Sequence, residues 1–120
     1  MAKDLYIIVH EILVGIDTLV GRPESIAVLA EIQNLKKTNP TLSIEGAPSE
    51  LHPEMPPASL DFPVWVCGAY KQHCVASQLL SLKSAGYNAR FHHPACLAGS
   101  QEMKGEVLNY LLQRYPDFFE

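Results

Sequence analysis

Short apolar runs alternate with amphipathic stretches along the chain. Leu5–Val9 and residues 63–67 are continuous runs of β-branched, aliphatic and aromatic side chains, as in strands buried on both faces of a parallel sheet. Thr41–Ile44 and residues 88–93 are predicted as two further strands. Because helical patterns separate these strands, the sequence predicts an α/β fold, in which helices flank a parallel sheet in three layers.

Three segments have the spacing of amphipathic helices. The first begins at Pro23, which suits the first turn of a helix, and ends before Asn39. The second runs from the turn at residues 68–72 to Gly86, which suits the position after a helix end. The third follows Ser100 and has an apolar stripe of Met103, Val107, Leu108, Leu111 and Leu112.

Two segments are less regular. Residues 12–22 are ambiguous among strand, turn and apolar loop, because they are apolar without a clear period. Prolines recur through residues 45–62 and predict a long loop there. A loop of this length in a compact domain is often functional.

Length and composition restrict the classes of function. The chain has 120 residues, 48% of them hydrophobic and 18% charged, which predicts one globular domain over residues 1–120. Its formal net charge of −4 argues against a nucleic-acid partner. No apolar run reaches the roughly 20 residues of a membrane span, and no signal peptide is recognised. Since three cysteines without a pairing pattern suit a reducing compartment, we expect a cytoplasmic protein with no membrane partner.

The candidate catalytic residues follow the predicted strands. Cys74 lies in the predicted first turn of the second helix, where free backbone amides and the helix dipole favour a thiolate. His10 and Glu11 directly follow the first strand, at the sheet edge where the ligands of α/β folds collect. The sequence therefore predicts a nucleophilic thiol, Cys74, with His10 as a candidate base.

The spacing around Cys74 resembles that of a known enzyme family. Gly68 lies six residues before Cys74, and Gly86 follows twelve residues after it. Cys96 comes ten residues after Gly86. Together these positions resemble the isochorismatase-like cysteine hydrolases, which include nicotinamidases, N-carbamoylsarcosine amidohydrolases and isochorismate-cleaving enzymes. The resemblance implies a Rossmann-like fold, truncated here because family members are longer, and hydrolysis of a small amide or related C–N bond.

The resemblance also implies a set of catalytic partners. In this family an Asp at the end of the first strand takes the thiol proton, and a Lys from a middle strand holds the pair. The Asp position is occupied here by His10, with Asp17 as an alternative if residues 12–16 form the strand. The segment that would carry the Lys is missing, and Lys71, just before Cys74, is a candidate source of positive charge.

Substrate and metal contacts follow from the same resemblance. The family has a cis peptide bond that would lie here between Ala69 and Tyr70, which assigns these two residues to the substrate and oxyanion site. Nicotinamidases of the family bind a divalent metal through one Asp and two His after the second strand. The corresponding region here holds His52 between two glutamates and no Asp-x-His motif, so we expect no metal and no cofactor.

These observations leave three hypotheses about function. The first is a compact hydrolase with a small-molecule substrate and Cys74 as its nucleophile. The second is a catalytically degenerate homologue that acts as a structural or interaction subunit, because the usual Asp and Lys are absent. In both cases the resemblance implies a homo-oligomer. The third is another small flavodoxin-like or sulfur-relay α/β domain, in which the first strand would not adjoin the strand before Cys74.

Overall fold

A computed structural model describes residues 4–97 of the chain, without the side chains of Lys71 and Gln72. The strands are β1 (Leu5–Val9), β2 (Thr41–Ile44), β3 (Pro63–Ala69) and β4 (Asn88–Leu97). The helices are α1 (Glu11–Leu19), α2 (Pro23–Thr38) and α3 (Ala76–Ser84), and a π-helical turn, Lys71–Val75, leads into α3. The strands form one parallel sheet in the order β2-β1-β3-β4, so the predicted parallel α/β arrangement is confirmed for this part of the chain.

One sequence prediction is wrong, because most of residues 12–22 belongs to the helix α1 rather than to a strand, turn or loop. The apolar residues of α1 spread over more than one face, which hides the helical period, and only Val14 among them is fully buried. The placement of Asp17 at a strand end is therefore also wrong, since Asp17 is helical. β3 and β4 extend beyond their predicted ends, and the third predicted helix lies outside the described residues.

The two faces of the sheet are covered by different helices. Alternate residues of β1 point to opposite faces, Ile7 and Val9 to one and Ile8 to the other. The first face packs against α3, and the second packs against α1 and α2, which gives three layers. The helical residues buried on the first face are Val75, Ala76, Leu79 and Leu82, and those on the second are Val14, Val28, Ile32 and Leu35.

The strand order creates a crevice at the carboxyl ends of β1 and β3. From β1 the chain crosses through α1 and α2 to β2 on one side, whereas from β3 it crosses through α3 to β4 on the other. Because these crossovers run in opposite directions, their helices lie on opposite faces and the exits from β1 and β3 diverge. Ligands of open α/β sheets bind at such a point. The residues that directly follow β1 and β3 are therefore the first candidates for function.

β1 and β3 approach each other too closely at Gly68 for any side chain. Gly68 is the register partner of Val9, and its φ is +111°. An added Cβ would lie 2.0 Å from the Val9 carbonyl oxygen, far inside van der Waals contact. The position therefore requires glycine on both steric and conformational grounds.

We predict that Gly68→Ala lowers the free energy of unfolding by more than about 3 kcal/mol, because the two strands must separate to admit the methyl group. The matched control is Gly15→Ala, since an added Cβ at Gly15 in α1 meets no atom within 4 Å. That variant should gain about 0.5–1 kcal/mol from helix propensity. Urea unfolding followed by Trp65 fluorescence measures both, and equal stabilities for the two variants would contradict the steric argument.

The end of α3 is closed by backbone hydrogen bonds that also set the start of β4. The Tyr87 N–H donates to the Leu82 carbonyl and the Gly86 N–H donates to the Lys83 carbonyl, both at 3.1 Å. Gly86 has a φ of +98°, as predicted for the residue after this helix, and the two bonds form a Schellman motif. The Tyr87 hydroxyl donates to the Pro56 carbonyl, so the same turn also holds the long loop.

One histidine of β4 is packed between aromatic rings. The His92 ring meets Tyr6 edge-on with centroids 5.2 Å apart, and its centroid lies 6.2 Å from that of Trp65. Its Nε2 atom is buried and has no hydrogen-bond partner among the described residues, and it lies 3.9 Å from a carboxylate oxygen of Glu31. Burial lowers the pKa of His92 from its ordinary value, and the charge of Glu31 offsets this only in part.

The lowered pKa of His92 predicts a loss of stability on acidification. Below about pH 6.5 the unfolded chain takes up a proton that the folded chain resists, so the free energy of unfolding falls as the pH falls. His92→Phe keeps an aromatic ring without this titration, and should reduce the fall between about pH 7 and pH 5. Urea unfolding at the two pH values measures this change in the free energy of unfolding. His73→Gln is the control, because His73 is exposed. An unchanged pH dependence in His92→Phe would contradict the prediction.

Candidate active site

The candidate nucleophile lies in the turn that leaves β3. The peptide bond between Ala69 and Tyr70 is cis, at the position that the resemblance implies. The Tyr70 carbonyl accepts hydrogen bonds from the N–H groups of His73 at 3.0 Å and Val75 at 3.1 Å, which closes the π-helical turn. Cys74 lies within this turn as a partly exposed free thiol, and its side chain packs against the core on the α3 face.

The turn passes into α3 without a break. Val75 has right-handed helical φ and ψ angles of −63° and −46°, so Cys74 lies in the first turn of one continuous helical segment. This is the position that the sequence predicts for it. The side chain of Lys71, the candidate source of positive charge, lies outside the described part of the structure, so its role stays a prediction.

His10 forms the exit from β1. Its backbone is left-handed, with φ and ψ both at 51°, and its N–H donates to the Ile44 carbonyl at 2.7 Å. The His10 carbonyl accepts the N–H of Leu13 at 3.0 Å, so the chain turns directly from strand to helix. The side chain is only 16% exposed, which leaves the imidazole mostly enclosed at the edge of the sheet.

The His10 imidazole contacts Glu45, a residue that the sequence analysis does not single out. Glu45 directly follows β2, and its Oε1 lies 3.6 Å from the Nδ1 of His10. Its Oε2 accepts the backbone N–H of Ile12 at 3.3 Å, so one carboxylate contacts both the imidazole and the first turn of α1. The sequence does carry a signal for this pair, because each residue directly follows a predicted strand and parallel strands end at one edge.

His10 and Cys74 follow neighbouring strands and therefore lie at the same edge of the sheet. Flavodoxin-like sheets also place the first strand beside the third, so this adjacency leaves the hypothesis of another small α/β domain open. Within residues 4–97 no hydrogen bond joins the imidazole to the thiol, and the side-chain contact of His10 is with Glu45. The pairing of His10 with Cys74 stays a prediction.

Asp17, the alternative to His10, has other partners. Its carboxylate accepts a hydrogen bond from the Tyr70 hydroxyl at 3.1 Å and another from the Arg22 guanidinium at 3.0 Å. Burial raises the pKa of Tyr70, and the hydrogen bond to Asp17 and the charge of that carboxylate raise it further. The phenol therefore remains a donor at neutral pH, and one carboxylate joins α1, the start of α2 and the turn before Cys74.

A cavity of about 190 Å³ opens beside Glu45, between the end of β2 and the loop that follows. Neither His10 nor Cys74 lines it, so the cavity adjoins the candidate catalytic groups and does not contain them. It provides a space for a small ligand next to the His10–Glu45 pair. The lining residues are Ser43, Ile44, Glu45, Gly46, Ala47, Glu50, Leu51, His52 and Pro53.

The wall of this cavity is fastened to α3, the helix that follows Cys74. Gln78 of α3 is fully buried, and its side-chain amide donates to the Pro48 carbonyl at 3.1 Å and to the Glu50 carbonyl at 2.9 Å. A buried amide that holds two loop carbonyls fixes the backbone of a segment that has no regular structure. The cavity and the turn that carries the thiol are therefore parts of one connected structure.

Within the described residues no group of three or more His, Cys, Asp and Glu side chains is placed to hold a metal ion. In the same part of the chain, no helix combines the length and the apolar character needed to cross a membrane. Comparison of the chain with protein-family models, with curated proteins and with solved structures finds no match. Inference of function therefore depends on the residues at the carboxyl edge of the sheet.

We predict that Asp17→Ala lowers the free energy of unfolding by roughly 1.5–3 kcal/mol, because it leaves the Tyr70 hydroxyl and Arg22 without this partly buried partner. Glu24→Ala is the matched control, since Glu24 is 68% exposed and contacts the same guanidinium from solvent at 3.5 Å. The control should change stability by less than about 0.5 kcal/mol. Urea unfolding measures both variants, and similar losses for the two would show that Asp17 has no special role.

Proposed function

We propose that this chain is a compact cysteine hydrolase of the isochorismatase-like family, with Cys74 as nucleophile and a small amide or related C–N bond as substrate. The observation that carries the proposal is the 3.6 Å contact of His10 with Glu45, at the sheet edge that also bears Cys74. A nucleophile, a base and a group that orients the base are the parts of a catalytic triad. In this chain the three parts are Cys74, His10 and Glu45.

His10 takes the role that an Asp has in the family. Glu45 contacts its Nδ1 atom, which leaves Nε2 to receive the thiol proton. Histidine suits this role, because imidazole exchanges protons near neutral pH. In this proposal the chain differs from the family pattern in two residues. His10 replaces the Asp as the base after the first strand, and the carboxylate that orients the base is Glu45, which follows the second strand.

The reaction proceeds through an acyl thioester. The Cys74 proton passes to His10, and the thiolate sulfur attacks the amide carbonyl carbon while backbone N–H groups of the turn at Ala69 and Tyr70 stabilise the oxyanion. His10 returns the proton to the leaving nitrogen, and the C–N bond breaks. Water, deprotonated by His10, then attacks the thioester and restores the thiol. The net change is amide plus water to carboxylic acid plus amine.

The cavity beside Glu45 supports a small substrate. Its volume of about 190 Å³ is below the roughly 300–1,000 Å³ of pockets for drug-sized ligands. It opens next to the His10–Glu45 pair, so a compact amide bound partly in it would lie beside the proposed base.

Activity measurements on variants test the assignment of roles. Release of ammonia from nicotinamide and from N-carbamoyl amino acids should be abolished in Cys74→Ala, and kcat/KM should fall on the order of 10²–10⁴-fold in His10→Gln. In Glu45→Gln the value of kcat/KM should fall by a smaller factor. Glu54→Gln is the matched control, because Glu54 is an exposed glutamate of the same loop that does not line the cavity, and it should retain the parent activity. Turnover that survives Cys74→Ala would refute the proposed nucleophile.

Thiol labelling tests the nucleophile without any substrate. Iodoacetamide near pH 7 should alkylate Cys74 at least roughly 10-fold faster than it alkylates glutathione, and the advantage should shrink in His10→Gln. Cys67 provides an internal reference, because it is fully buried and burial raises the pKa of its thiol, so it should stay unlabelled. Peptide mass spectrometry separates the sites. Alkylation of Cys74 no faster than that of glutathione would count against a hydrolase.

A catalytically degenerate homologue is the second candidate. It is favoured by the contacts of Asp17, which is engaged by Tyr70 and Arg22, and by the lack of a hydrogen bond from Cys74 to a base within residues 4–97. Such a protein would act as a structural or interaction subunit and assemble as a homo-oligomer. Slow labelling of Cys74 together with no turnover would favour it, and analytical ultracentrifugation would then give the size of the assembly.

A further inference from the structure

The outer side of α1 is apolar and exposed. Ile12 is 62% exposed, Ile16 47%, Leu19 87% and Val20 75%. A helix turns 100° per residue, so these four positions fall within one stripe along α1 and its C-cap. We call this surface the α1 stripe. Among the described residues, seven large hydrophobic side chains are exposed, and four of them belong to the α1 stripe.

A stripe of this kind is normally covered. Helices in proteins gain most of their stability from packing an apolar face, yet Val14 is the single fully buried side chain of α1. Isolated exposed aliphatic residues are common on protein surfaces, whereas neighbouring ones along a whole helix mark a contact surface. The α1 stripe therefore indicates an interface whose other side lies beyond the described residues.

The described chain ends close to the start of α1. Leu97 is the register partner of Ala69, so β4 ends at the carboxyl edge of the sheet, where β1 also ends and α1 begins. The order β1-β3-β4 puts two strand spacings, about 10 Å, between these points. Three extended residues span that distance. A segment that continues from Leu97 can therefore reach α1 and still have most of its length left.

We propose that residues 101–114 form a helix that covers the α1 stripe within the same chain. The sequence predicts this helix after Ser100, and its apolar positions repeat at helical spacing. The stripe from Met103 to Leu112 spans ten residues, about 15 Å along a helix, and α1 with nine residues spans about 13 Å. The two apolar stripes thus match in length, and the α1 stripe is exposed in the part of the chain that the structure describes.

Attachment to β4 favours this occupant over a second copy of the chain. A short linker holds the segment at an effective concentration in the millimolar range, well above that of a separate molecule. At 100° per residue, Glu102 and Glu106 fall on the side opposite the apolar stripe, as expected for a helix with one face toward solvent.

Hydrogen exchange on the full-length protein, followed by mass spectrometry of peptides, tests the proposal. In the parent chain the amides of residues 101–114 should exchange more slowly than those of an unstructured peptide. Leu19→Asp should speed their exchange at least roughly 10-fold, because a charge at the most exposed residue of the α1 stripe opposes apolar packing. Leu60→Asp is the matched control, since Leu60 is 71% exposed in the long loop, and it should leave the exchange unchanged.

The reciprocal variant guards against an indirect effect. Leu108→Asp should speed the exchange of residues 11–20 while β1 and β3 keep the protection of the parent chain. Circular dichroism checks that each variant folds. If Leu19→Asp does not fold, Val20→Asp is used in its place.

Sedimentation of the same samples separates the remaining outcomes. Reciprocal loss of protection in a monomer supports the proposal. Residues 101–114 that exchange in the parent chain like an unstructured peptide would overturn it. Protection of α1 that disappears on dilution, together with the mass of a dimer, would also overturn it and would identify a second copy as the occupant.

Discussion

The close approach of Val9 and Gly68 is the constraint on which the carboxyl edge of the sheet depends. The backbones of β1 and β3 are so near that the Val9 carbonyl occupies the space of a Cβ at position 68. Each strand then turns away within two residues, at His10 and at the cis bond after Ala69. The candidate base and the turn of the candidate nucleophile therefore start from one fixed contact, and their relative position follows from the backbone.

Two carboxylates position α1, which has little apolar packing of its own. α1 buries one side chain fully, yet Glu45 binds its first turn and Asp17, near its other end, accepts hydrogen bonds from Arg22 and Tyr70. The two contacts of Asp17 are partly buried, where a hydrogen bond to a charged group contributes more than the exposed contact of Glu45 does. The helix between β1 and α2 is thus positioned by polar contacts at both ends, which suits a segment that borders a site.

Sequence patterns predicted the elements whose signals are local. β1 and β2 have the predicted bounds because each is a short apolar run closed by polar or turn residues, and Gly86 marks the end of α3 for a conformational reason. α1 was missed because its apolar residues lie on several faces. The Glu45–His10 contact was missed because it joins strands distant in sequence, and the strand order that brings them together is not a local property.

The hydrogen bond between Asp17 and Tyr70 connects α1 to the turn that carries Cys74. Local opening of α1 removes the partner of the Tyr70 hydroxyl, and Tyr70 supplies the carbonyl that closes the turn around Cys74. One residue, Tyr70, therefore contacts α1 through its side chain and closes the turn around Cys74 through its backbone. A substitution that displaces Asp17 thus removes a contact that positions the turn of Cys74, although α1 itself carries no part of that turn.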